Sequence, residues 1–267
     1  MLIAAALSVL AAAPAAAPAP APSPAALVAQ IRHADYTADR AALARLADEL
    51  APFADDREMG AKVRYWRGFA YWRRALNGFN DSAPAAELEQ DLTKGVAELE
   101  KALALSPGFV DAKVGLVACL QNLSFLHYVQ KDQPKATELM QRSLPLLREA
   151  EVAEPDNPRL LWVLGAWRWY NPKAPGGGQA AAIATYEKGL QAARAKKAAN
   201  GDALTPTWGE AELLMNLAFA SLNREKPDPA AAERYARQAL ALVPDWHYVR
   251  DVLLPQIGKA REAGKSQ

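Results

Sequence analysis

Helical periodicity that is broken by proline and glycine and then resumes constrains this chain more than any other feature. Residues 157–199 read NPRLLWVLGAWRWYNPKAPGGGQAAAIATYEKGLQAARAKKAA. One helical pattern runs into the break and a second runs out of it, the signature of two helices folded back on each other. The pairing recurs on both sides. Helices are expected at Ala25–His33 and Asp39–Leu50, at Gly60–Asn80 and Leu92–Leu105, and at Val110–Val129 and Gln133 to about Ala153. Others are expected at Leu160–Tyr170 and Gln179–Ala199, at Glu210–Leu222 and Pro229–Val243, and over Trp246–Ala263 as a terminal helix. Asp39 reads as an N-cap. Pro145 should kink its helix or shift its start, and Pro255 should interrupt the last one. No segment alternates as a strand would. The expected fold class is all-α, with alanine, leucine, glutamate, lysine and arginine favouring helix because they lose little rotamer freedom there.

Three helix ends share a pattern, closing on Pro107, Pro155 and Pro244. Leu164-Gly165 and Leu217-Ala218 resemble the Leu-Gly pair in the first helix of the tetratricopeptide repeat. Ala182, Tyr186 and Gly189, then Ala232, Ala236 and Ala239, and Gly95, Leu99 and Ala102 resemble the small-residue spacing of its second helix. The resemblance covers roughly residues 60–250 and implies a right-handed superhelical solenoid of antiparallel helix pairs with a C-terminal capping helix. The prolines stand farther apart than the family's unit of about 34 residues. The extra length is expected in loops such as Asn80–Asp91 and Asn171–Gly178 and in long second helices. Another helical-hairpin solenoid is the structural alternative.

The first thirty-one residues carry no charged side chain, and Leu2–Ala13 is an apolar run too short to span a bilayer comfortably. Small residues and Ala-Pro repeats follow. Residues 1–24 therefore read as a signal-peptide-like segment with an Ala/Pro spacer, without a basic stretch before the apolar run, and 25–267 as the repeat domain. A periplasmic or secreted location follows. No cysteine stands directly after the apolar run, so no lipid anchor is expected, and a low-complexity leader on a cytosolic protein is the other reading.

Net charge is +1, which gives no reason to expect nucleic acid as a partner. His33, His127 and His247 are scattered, and none has a second ligand at metal spacing. Cys119 sits in an apolar helix with no base beside it, and as the one cysteine it excludes a disulfide framework. Pro175-Gly176-Gly177-Gly178 precedes a helix but lacks the Lys-Ser/Thr of a phosphate loop. It reads as a turn, and it resembles a loop of the tripartite-transporter T-component solenoids. No metal or cofactor is expected.

In repeat solenoids the first helix of each pair lines the concave surface. Registers set by the Leu-Gly pairs turn Trp162, Trp169 and Tyr170, and Met215, Phe219 and Asn223, toward it. Trp66, Trp72, Arg73 and Asn77 are candidates on an earlier helix, and Gln121 on the helix between. Either these residues form an aromatic groove for a peptide or an amphipathic ligand, or the rings pack between repeats; the residues alone leave both readings open. The basic residues Lys62, Arg64, Arg67 and Arg74 are expected on a solvated face. The expected function is a non-catalytic scaffold or adaptor for a polypeptide partner. A periplasmic small-ligand-binding transport component is the alternative. An enzyme would need scattered acids or histidines to converge.

Overall fold

The computed structural model describes residues 22–195 and 202–265, so the signal-like segment up to residue 21 lies outside the described residues. The described residues are helical and contain no strand. They form five pairs: α1 (Pro24–Tyr36) with α2 (Arg40–Glu49), α3 (Gly60–Asn80) with α4 (Ala85–Leu105), α5 (Val110–Val129) with α6 (Gln133–Ala153), α7 (Pro158–Tyr170) with α8 (Gln179–Ala195), and α9 (Glu210–Asn223) with α10 (Pro229–Leu242). A π-helical segment, Tyr248–Leu253, leads into α11 (Leu254–Lys265).

Glycines show how a pair is put together. A methyl on Gly78 would meet Leu88, one on Gly68 would meet Leu99, and one on Gly60 would approach Leu105. One residue number falls as the other rises, so α3 and α4 run antiparallel. In α7 and α8 the Leu164-Gly165 pair does what its spacing suggests: a Cβ at Gly165 would lie 2.2 Å from the Tyr186 ring. Gly165→Ala should therefore destabilise the fold by about 1–3 kcal/mol in urea unfolding, and a cost within experimental error would mean that α7 and α8 do not cross this closely. Each pair packs on the next, and α1, α3, α5, α7 and α9 also touch in succession, so the first helices share one inner side.

Side-chain oxygens start several helices. Ser23, Asp39, Asp132, Asn157 and Asp228 each accept a backbone N–H of the first turn, leaving fewer orphan donors. Pro84 ends a four-residue turn, and α4 begins at Ala85 rather than Leu92. The Asn80–Asp91 stretch is thus mostly helix, anchored early by buried Leu88. Pro145 does not break α6; it and Gln141, whose carbonyl loses its helical donor, both lie on the exposed face, where an unpaired carbonyl costs little. Pro255 follows directly on the π-helical segment, whose helical backbone runs on through Leu254 into α11, so the proline does not end the helix and the irregularity falls in the π segment before it.

The basic residues of α3 are not on a solvated face. Arg64 and Arg67 pair with Glu98 of α4 at 3.1 Å each, and Arg74 pairs with Asp91 and Glu87. Arg64, Arg67 and Arg74 of α3 are thus matched by acids on α4, and these pairs knit the hairpin together, while Lys62 pairs with Asp202.

Candidate functional site

The inner side of the first helices is filled with aromatic rings. Trp66 and Trp72 of α3 are each 1% exposed and Trp162 of α7 is 8% exposed. They do not line an open groove, because a segment from far along the chain covers them. Leu204 and Trp208, on the connection between α8 and α9, enter the inner side, and Trp208 is 3% exposed there. Its ring lies 5.5 Å from Phe69, 6.0 Å from Trp72 and 5.8 Å from Trp162. Gly209, at φ +138°, then turns the chain into α9; this left-handed backbone and the closeness of Pro158 both call for glycine.

The inner wall grips this segment by its main chain. The Trp66 indole donates to the Leu204 carbonyl at 2.8 Å, and the Arg159 guanidinium donates to the Trp208 carbonyl at 3.1 Å. The Trp208 indole in turn donates to the Tyr65 hydroxyl at 2.8 Å. Arg159 is held in place by Asp111 of α5, with contacts of 2.6 and 3.2 Å, and Asn157 adds a 3.0 Å bond to the same carboxylate.

A second buried polar group joins α1 to α3 and α9. Arg73 donates through Nε to Asp35 Oδ1 at 2.8 Å, and Asn77 donates to the Asp35 carbonyl at 3.0 Å. Burial pushes the Asp35 carboxyl up, against the pull of the Arg73 guanidinium in the other direction. Next to it, the Tyr36 hydroxyl donates to Glu212 at 2.6 Å, and burial together with that carboxylate pushes the phenol far above its usual range. Glu212 also accepts the Gly209 N–H at 2.9 Å, so the start of α9 is capped and tied to α1 by one side chain. The Tyr36 ring meets Trp246 edge-on at 5.1 Å. Arg73 and Asn77, expected at a groove edge, are therefore structural partners of α1, buried because α1 packs on α3.

The remaining candidates stay at the surface or half-way to it. Tyr36 at the end of α1 meets the start of α9, and the candidates on α9 lie further along that helix. Trp169 and Phe219 are half-buried, with their rings 5.9 Å apart. Tyr170 is 71% exposed, Met215 is half-buried and Asn223 is exposed. Gln121 of α5 is half-buried, and its Nε2 has no acceptor among the described residues. Sequence reasoning missed Phe125, Tyr128 and Val129, exposed at the end of α5, with Phe125 6.2 Å from Phe79. It also missed Trp208, whose signal was a tryptophan just before a helix-start Gly-Glu-x-Glu.

A surface cleft of about 320 Å³ lies between α6, α7 and α8, lined by Leu160, Leu161, Leu164, Arg168, Thr185 and Lys188 among others. It shares no residue with the aromatic interior. Cys119 is buried, and burial alone pushes its thiol well up, which disfavours the nucleophilic thiolate. Among the described residues no group of three His, Cys, Asp or Glu is placed to hold a metal ion, and no helix is long and apolar enough to cross a membrane. Compared with models of known families and with curated proteins, the chain matches none.

Proposed function

We propose that this chain is a non-catalytic scaffold of the tetratricopeptide type, exported to the periplasm or secreted, that binds an extended polypeptide partner along the inner side of a right-handed superhelix. The observation that carries the reading is the chain's own Leu204–Trp208 segment. The inner wall holds it as a peptide ligand would be held, through main-chain carbonyls at Trp66 and Arg159 and an aromatic anchor at Trp208. A wall that holds main-chain carbonyls of one segment in this way has the chemistry to hold those of another. The outward part of the surface that a partner would meet is the α7–α9 face of Trp169, Tyr170, Met215, Phe219 and Asn223, which joins aromatic rings to polar edges. The second reading is a small-ligand-binding component of a transport system that would use the same aromatic residues.

One experiment separates these readings. The tagged full-length protein is fractionated and used for capture from the periplasmic fraction, beside Tyr170→Ala, with mass spectrometry of bound proteins and small molecules. A polypeptide should be retained by the unaltered chain and fall about tenfold with Tyr170→Ala. The melting temperature should move by less than about 2 °C, since Tyr170 is a surface residue. Equal retention by both proteins removes the α7–α9 face as the docking surface. Recovery in the cytoplasm alone removes export, and a small molecule in place of a polypeptide moves the assignment to the second reading.

A further inference from the structure

Three hydrogen-bond donors in the aromatic interior have no acceptor among the described residues: Trp72 Nε1, Trp162 Nε1 and Arg73 Nη1. All three side chains are more than nine-tenths buried, with Arg73 at 5% exposure. They are also neighbours. The Trp72 and Trp162 rings are 5.7 Å apart, and the Arg73 guanidinium carbon lies 5.8 Å from the first and 5.6 Å from the second. Burying one such donor without an acceptor costs about 1–3 kcal/mol, and native folds carry few of them. Three in contact is a donor surplus concentrated at one place.

The adjoining wall shows what this kind of surplus is used for. Trp66 and Arg159 are the same donor types, an indole and a guanidinium, and each holds a main-chain carbonyl of the 204–208 segment. Trp72 and Trp162 border the Trp208 ring, and Arg159 holds the Trp208 carbonyl. Charge decides between a carbonyl and a carboxylate. Arg73 already faces the Asp35 carboxylate through Nε at 2.8 Å. No spare positive charge is left for an anion, whereas an uncharged acceptor adds none. Aromatic faces on both sides suit a flat amide group.

We infer that Trp72, Trp162 and Arg73 form a socket for an uncharged carbonyl of a bound peptide, continuing the row of carbonyl contacts that Trp66 and Arg159 begin. The inference rests on the peptide-binding reading above and specifies where that peptide's main chain is held.

The test uses the whole protein, ¹⁵N-labelled, with its indole N–H resonances assigned by single Trp→Phe variants. The probes are N-acetyltryptophanamide and N-acetyltryptophan, which share a ring and differ by one carboxylate. The amide should move the Trp72 and Trp162 indole resonances saturably while those of Trp66 and Trp208, already partnered, stay in place. The carboxylate probe should bind at least about fivefold more weakly, and Trp72→Phe with Trp162→Phe, which keeps aromatic rings and removes both donors, should weaken the amide by about the same factor. Indole resonances that stay still at saturating probe would overturn the socket and leave ordered water as the acceptor. Equal binding of the two probes would overturn it as well. If Tyr170→Ala weakens partner capture while both indoles stay unmoved, the scaffold reading stands and the socket alone falls. If no polypeptide is captured, the scaffold reading falls, whatever the indoles do.

Discussion

Replacing Trp208 with alanine is expected to lower the unfolding free energy by about 3–5 kcal/mol, the range for truncating a buried tryptophan. The reason is its position. One ring touches Phe69, Trp72 and Trp162, which come from two helices, and its indole satisfies Tyr65. Removing it leaves a cavity walled by aromatic faces and takes a hydrogen-bond partner from a buried hydroxyl. Urea unfolding gives the size of the loss. A second result follows from the geometry: indole added to the variant should raise its melting temperature, because an apolar cavity of the right shape binds the fragment it lost. A loss below about 1 kcal/mol would mean that the segment does not occupy the interior in solution.

The second large effect is expected at the junction of α1 with α3. Asp35→Ala leaves the Arg73 guanidinium buried and facing no carboxylate at its Nε, a situation that costs about 3–5 kcal/mol. Replacing both partners, with Asp35→Ala and Arg73→Met together, should cost much less than the two single changes added, since the charge that needs a partner is gone. Chemical denaturation of the four proteins completes the cycle. Additive losses would show that the two residues do not act as a pair, and the tie between α1 and α3 would then rest on apolar contacts such as those of Ile31.

Helix existence and pairing were legible in the sequence because both are local. Proline stops, the Leu164-Gly165 step and the Ala182, Tyr186 and Gly189 spacing act within one hairpin, and the structure puts Gly165 against Tyr186. The start of α4 was less legible. Ala85–Asp91 has only Leu88 as an apolar anchor, so periodicity begins late although Pro84 marks the entry. The inner surface was legible only as a set of residues. Whether Trp66 faces solvent depends on Leu204, 138 residues away along the chain, and no periodicity carries that information. Arg73 and Asn77 were assigned to a groove edge for the same reason, since their partner Asp35 lies on a separate pair. Of the residues proposed for the groove, Tyr170 and Asn223 remain exposed and Trp169 and Phe219 half-buried.

The contacts of Tyr36 with Glu212 and Trp246 change how such a stack comes apart. An open row of helix pairs is held by nearest neighbours and can fray from either end without disturbing the middle. Here the first pair is also a neighbour of the last, so neither end is free to peel away alone. Loss of the C-terminal pair removes support from α1, and loosening of α1 uncovers the start of α9. The chain thus gains from one tyrosine an all-or-none character that a linear array of the same helices would lack.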